Sequence, residues 1–361
     1  MYDRYSLTLM LTHDCNLRCS YCYMGAKSGR VMPEGLGRKA IDRAIASLDD
    51  KGELELGFFG GEPLLEPDLL GNLITYARLA TLKRGITLRM GLTTNGTIDS
   101  PEAWEILADE ALELAVSCDG LEGVHDRHRR YADGRGSWQT VTNFIKRLMA
   151  AGRQFRVISV VRPDTLDGLC ASALYFRSLG VRHFEPSLDL WTQWSDEDES
   201  KLEGVVGSLA DIWRDGLPNF GIGWFDEKAL HLARLRMPPA TRCGFGNGAV
   251  AVAPSGNLYP CERLIGPDLP DSAMRIFGNA GEGDDFVNLV PGARTERDTC
   301  SACAMEGMCN TLCRCSNYTR TGDTRRPDRL LCRWNQACLD NTARILKQLA
   351  PGGELIEGAP I

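Results

Sequence analysis

Residues 5–23, YSLTLMLTHDCNLRCSYCY, decide how the chain is read. Tyr5, Leu7, Leu9 and Leu11 alternate with Ser6 and Thr8, the period-two pattern of a strand. The strand runs straight into Cys15, Cys19 and Cys22, with three and then two residues between them. Structural zinc sites use four ligands, usually in paired C-x2-C knuckles. A lone trio of thiolates on one loop suits instead an iron–sulfur cluster with one iron left open to a small ligand.

Outward from that stretch, strand-like and helix-like segments alternate. Strands are expected at 5–12, 54–59, 87–93, 112–117, 154–161 and 181–186, and helices at 38–48, 69–82, 138–151 and 169–179. Six β-α repeats imply an α/β fold with a parallel sheet, open or curved into a barrel. In such folds the site lies at the carboxyl ends of the strands, which is where the three cysteines fall. After residue 242 the texture changes to Gly, Pro, Cys and short strands, as in a metal-organised domain. No internal repeat of 20–50 residues is present.

The 361 residues suffice for two domains, or for a barrel with an appendage. A hydrophobic content of 43% and a charged content of 25% exclude long disorder, collagen and coiled coil. No run of 18 apolar residues occurs, so no membrane span is expected. The first residues lack a signal peptide's basic region and cleavage site. A net charge of −7 speaks against a nucleic-acid footprint. Fourteen cysteines without a secretory signal point to metal or catalysis rather than disulfides. Cys118 and Cys170 lie in apolar stretches and read as buried core thiols.

The pattern C-x3-C-x-aromatic-C directly after a first strand resembles the signature of the radical S-adenosylmethionine (SAM) enzymes. The resemblance implies a [4Fe–4S] cluster on Cys15, Cys19 and Cys22, with SAM on the fourth iron. One electron then cleaves SAM to methionine and a 5′-deoxyadenosyl radical, which abstracts a substrate hydrogen. Companion motifs stand where the family has them. Gly60, Gly61, Glu62 and Pro63 end the second strand and would receive the ammonium of SAM. Asn95, in T-T-N-G, ends the third strand, and Ser117, in S-C-D-G, ends the fourth as a ribose or carboxylate contact. Arg129, in H-D-R-H-R-R, matches an arginine that pairs with the SAM carboxylate; a solvated basic run with Arg127 and Arg130 is the alternative. Ser159 is a further ribose candidate, or a plain core-edge serine. Tyr23 would lay its backbone against the adenine. His13 is expected to orient the cysteine loop.

The later cysteines form a second pattern. Cys243 is followed by Gly256 and Cys261, then Cys300-x2-Cys303-x5-Cys309-x3-Cys313, then Cys332. This is similar to the seven-cysteine SPASM domain found on radical SAM enzymes that modify peptides and proteins, and Arg275–Asn279 (R-I-F-G-N) looks like its flank. The resemblance implies two auxiliary [4Fe–4S] clusters, making three in all. Cys300, Cys303, Cys309 and Cys332 would ligate the outer one, and Cys243, Cys261 and Cys313 the inner one. Fully ligated relatives have another cysteine where this chain has Met237. The fourth inner ligand is thus Cys315, Cys338 or none. C-x2-C-x5-C taken alone would also suit zinc.

The fold expected is a partial (β/α)6 TIM-like barrel over 1–215, a linker over 216–240, a SPASM domain over 241–335 and a C-terminal helix (335–349) and tail within 336–361. The function implied is modification of a ribosomally made peptide, by cross-linking or oxidation. Sulfatase maturation to formylglycine, a small-molecule oxidoreductase and a non-enzymatic iron–sulfur carrier are the alternatives. Glu262, next to Cys261, is the candidate base for the proton lost after hydrogen abstraction, since sulfatase-maturating relatives have an aspartate there. A surface carboxylate paired with Arg263 is its plain reading. Asp189, Trp191 and Trp194 could touch substrate or form a lid. The first strand begins near residue 5, so leader-peptide recognition would come from a separate protein or a cleft surface, or would not be needed. A flavodoxin or ferredoxin would donate electrons, and the cytoplasm is the expected location.

Overall fold

The computed structural model describes residues 1–233, 244–290, 303, 305, 309 and 313–349. Among these, the strands are β1 (Tyr2–Met10), β2 (Leu48–Phe59), β3 (Thr87–Thr94), β4 (Leu112–Ser117), β5 (Arg156–Val161), β6 (His183–Leu188), β7 (Gly221–Ile222), β8 (Ala249–Val252), β9 (Asn257–Tyr259) and β10 (Ile276–Asn279). The helices are α1 (Glu34–Ala46), α2 (Pro67–Arg84), α3 (Pro101–Leu107), α4 (Glu122–His128), α5 (Trp138–Ala150), α6 (Leu169–Leu179), α7 (Asp196–Gly216), α8 (Gly223–Leu232), α9 (Arg314–Thr321) and α10 (Arg329–Leu349). The chain divides into two compact units.

The first unit comprises Met1–Ser117, His128–Gln154 and Cys243–Glu296. Its strands follow the order β10-β9-β8-β1-β2-β3-β4. β1 to β4 are parallel in sequence order, as βαβ crossovers require. The pleat sends Tyr5, Leu7 and Leu9 of β1 and Leu54, Leu56 and Phe58 of β2 into the core, where all are buried. Ser100 opens α3 by accepting from the Ala103 N–H at 3.2 Å, with Pro101 at the first helical position. Gly85, at φ +63°, closes α2 in the left-handed conformation.

The second unit comprises Cys118–Arg127, Phe155–Arg242 and Arg297–Ile361. β5, β6 and β7 are parallel neighbours. Ser195 and Asp198 form a reciprocal capping box that starts α7. Arg333 and Arg344 of α10 reach across to Glu203 and Asp211 of α7 at 2.6 and 3.0 Å. Phe176, Phe184, Phe220 and Phe225 fill the core of this unit.

Several expectations are corrected. The stretch read as a linker, 216–240, contains β7 and α8. Residues 249–252, inside the expected 241–335 domain, form β8, which pairs in parallel with β1 from Ser6↔Ala249 to Leu9↔Val252. The C-terminal helix begins at Arg329 rather than 335, and α10 presents Leu330, Leu331, Cys338, Leu339 and Ile345 on its buried face. β2 begins at Leu48, the last residue of the expected 38–48 helix, because Leu48 pairs with Tyr2. Cys118 is fully buried and Cys170 half-buried, and burial pushes the Cys170 thiol pKa up.

Candidate active site

The cysteine loop leaves β1 at the carboxyl end of the sheet. The turn after β2 lies directly against it. The Gly61 N–H donates to Thr12 O at 2.8 Å, and the Glu62 N–H to Asp14 O at 2.9 Å. A Cβ on Gly61 would collide with the Asp14 carbonyl and stand 3.0 Å from Cys15 Cβ; one on Gly60 would stand 2.7 Å from Thr12 O. The glycines are needed for this close backbone approach, before any ligand is considered.

Glu62 is fully buried. One carboxylate oxygen accepts from Leu64 N at 3.1 Å and Thr94 Oγ1 at 2.8 Å, the other from Asn95 N at 2.6 Å. Burial raises its pKa to about 7, against the lowering effect of those three hydrogen bonds and of Arg129. The side chain is thus committed to protein donors, and clamps the ends of β2 and β3 together. Of the turn's carbonyl oxygens, Glu62 O and Pro63 O accept from Leu65 N and Glu66 N, both at 3.1 Å. Pro63 is buried and begins the one-turn helix Pro63–Leu65.

Asn95 is also buried. Its Nδ2 donates to Asn16 Oδ1 at 2.9 Å and points at Cys15 Sγ from 3.7 Å, while its Oδ1 accepts from Thr97 N at 2.9 Å. Leu17 N adds a second donor to Cys15 Sγ at 3.4 Å, and Lys27 Nζ lies 2.9 Å from Cys22 Sγ. Cys15 is buried; Cys19 and Cys22 are partly exposed. No three His, Cys, Asp or Glu side chains among the described residues converge on one metal-ion site. A four-iron cluster does not require that, since each cysteine takes a different iron. A loop of three thiols, ringed by N–H donors and open on its outer side, fits such a cluster, whose sulfurs are hydrogen-bond acceptors.

Arg129 is buried, whereas Arg127 and Arg130 are exposed, so the basic run is not uniformly solvated. Arg129 Nη1 donates to Tyr21 Oη at 2.9 Å. Tyr23 stacks on Phe59 with ring centroids 6.3 Å apart, and burial raises its hydroxyl pKa well above the ordinary value. Ser117 ends β4, half-buried. In the second unit, the buried Ser159 hydroxyl has no hydrogen-bond partner among the described residues, as suits a group awaiting a ligand.

Residues that sequence reasoning missed hold the loop from beneath. Met10, Met24, Ala251, Ala253, Tyr259 and Ile265 form one buried cluster, with Cys22, Tyr23 and Phe59 packed on it. Asp268 is buried and accepts from Arg30 Nη1, Asn257 Nδ2 and Tyr259 Oη at 2.9, 2.8 and 2.9 Å. His13 is buried with its Nε2 3.1 Å from Gly266 O, and burial lowers its pKa. No sequence motif marked Asp268.

Cys261 Sγ lies 3.4 Å from Glu262 Oε2. In the second unit Cys315 is buried with its Sγ 3.3 Å from Cys313 Sγ, and Cys338 is buried on α10 with its thiol pushed up to about 12. Cys303 and Cys332 are exposed and Cys309 is partly exposed. Cys243 and Cys300 lie outside the described residues. Asp189 is buried and paired with Arg162, Trp194 donates to Asp189 O at 2.9 Å, and Trp191 is exposed.

Residues 9–171 match the radical SAM superfamily. This stretch is a radical SAM domain, which makes the chain an enzyme of radical SAM type; its α/β fold is the one it shares with the solved structures below, and its C-terminal part is rich in cysteine. Its cofactors are those of the family, SAM and an iron–sulfur cluster. It is 23% identical over 334 residues to the cysteine-type anaerobic sulfatase-maturating enzyme of Clostridium novyi, covering 86% of this chain and 88% of that protein. The solved structure of anSMEcpe with bound AdoMet superimposes with a TM-score of 0.79 at 18% identity, over 95% of this chain and 94% of that one. Streptococcus suis SuiB bound to precursor peptide SuiA matches with a TM-score of 0.61 at 16% identity, over 91% and 76% of the two chains. No helix among the described residues is long and apolar enough to cross a membrane.

Proposed function

We propose that this chain abstracts a hydrogen atom from a side chain or α-carbon of a ribosomally made peptide, leading to a cross-link or an oxidation. The observation that carries the reading is the loop of Cys15, Cys19 and Cys22, closed on one side by the Gly60–Gly61–Glu62 turn and by Asn95. Those three cysteines would hold the SAM-binding cluster, which when charged with an electron cleaves SAM to the 5′-deoxyadenosyl radical. The carbonyls of the Gly60–Pro63 turn would take the ammonium of SAM, Arg129 its carboxylate, and Ser117 and Ser159 its ribose; Tyr23 would line the adenine. Asn95 would act mainly on Cys15, from 3.7 Å. Two auxiliary clusters would use the C-terminal cysteines. Glu262 would take the proton released after abstraction. A flavodoxin or ferredoxin would supply electrons, and the cytoplasm would be the setting. The peptide substrate is supported by the likeness to a relative solved with its precursor peptide.

Formylglycine formation from Cys or Ser is the second reading, favoured by whole-chain likeness to a sulfatase-maturating enzyme. Mass spectrometry of a sulfatase-motif peptide and of a short peptide encoded beside this gene separates the two. Replacing Cys15, Cys19 and Cys22 with Ala should abolish 5′-deoxyadenosine formation; undiminished formation would sink both readings.

A further inference from the structure

Lys27 lies on no motif, yet its position is built. The chain turns after the third cysteine, with Cys22 N donating to Cys19 O at 3.1 Å and Gly25 N to Cys22 O at 3.3 Å. Gly25 takes φ +68°, a conformation that glycine adopts without strain. The returning segment is then pinned: His13 N donates to Arg30 O at 2.9 Å, Thr12 bridges Val31, and Arg30 pairs with the buried Asp268. Between these two anchors the Lys27 ammonium comes back to Cys22 Sγ at 2.9 Å. Among the described residues no carboxylate lies within ion-pair distance of it, so the sulfur is the partner of its charge.

We propose that Lys27 is a positioning residue that raises the reduction potential of the cluster on Cys15, Cys19 and Cys22, by donating a charge-assisted hydrogen bond to the Cys22 sulfur. The inference rests on the reading that those cysteines hold that cluster. Reduction adds one electron, and a fixed cation at a ligand sulfur stabilises the more negative state. Hydrogen bonds to the sulfurs and nearby charge are established levers on such potentials. The consequence for the reaction is that a weaker reductant suffices to charge the site.

The test is an EPR-monitored redox titration of the full, anaerobically reconstituted chain, without SAM or substrate. The relevant signal is the one that disappears in the Cys15, Cys19, Cys22→Ala variant. Lys27→Gln and Lys27→Met should lower its midpoint. A fall of about tenfold in the reduced-to-oxidised ratio at the wild-type midpoint corresponds to about 59 mV for one electron. Lys27→Arg should restore the wild-type value. A midpoint unmoved in Lys27→Gln or Lys27→Met would overturn the proposal. So would slower reduction by flavodoxin at an unchanged midpoint, which would make Lys27 a partner contact. If the triple-Ala variant keeps the whole signal, the cluster assignment itself falls.

Discussion

Glu62→Gln gives the sharpest test of the clamp between β2 and β3. Glu62 takes up its proton at about 7 in the folded chain and at its ordinary 4.5 when unfolded. Between those values folding binds a proton. The contribution to stability is therefore full below pH 4.5 and is lost as pH rises through 7. The difference of about 2.5 pK units amounts to about 3 kcal/mol at 1.36 kcal/mol per unit. Glutamine cannot titrate. It places an NH2 against one of the three donors, most damagingly Asn95 N at 2.6 Å, and a lost hydrogen bond with a buried orphan costs about 1–3 kcal/mol. At pH 5 the variant should be less stable than wild type by about that amount. At pH 8 the two should be nearly equal, because the wild type then bears the cost of its buried charge. The assay is urea denaturation at pH 5, 6.5 and 8 under anaerobic conditions. Parallel pH profiles for the two proteins would refute the reasoning, since Glu62 would then not be the group that desolvation holds protonated.

Glu262→Gln should leave 5′-deoxyadenosine formation intact but slow product formation; a normal product yield on the native peptide would remove Glu262 from the site. Asp268→Ala leaves Tyr259 Oη and Asn257 Nδ2 without their buried acceptor and should cost about 2–4 kcal/mol, read as a lower Tm. Gly61→Ala should prevent the turn from closing on Asp14, so iron and acid-labile sulfide retained per chain should fall. A wild-type iron content in that variant would show that the close approach is dispensable.

Local patterns were legible where they determine local structure. The alternation in residues 5–12 predicts a strand, and β1 covers most of it. The 169–179 helix is reproduced to the residue, closed by Gly180 at φ +88°. The sequence also brought Cys15, Gly60, Gly61, Glu62 and Asn95 to the ends of successive strands, because a parallel sheet places every βα turn at one edge. The division of labour among them was not legible. The motifs mark Glu62 and Asn95 as SAM contacts; the fold in addition gives the first three N–H and O–H donors and aims the second at Cys15. A short polar residue at a strand end has the same sequence signature whether it faces a ligand or a neighbouring turn.

The spacing of three cysteines after a period-two strand, and the order of the βα repeats, were determined by the sequence alone, since both depend on residues close together in the chain. Which arginine of residues 127–130 is buried, that β8 joins β1 across more than 240 residues, and that Asp268 closes on Arg30 beside the cysteine loop were decided only by the tertiary structure. Those contacts depend on long-range packing and on the exclusion of water, for which no short stretch of sequence carries a signal.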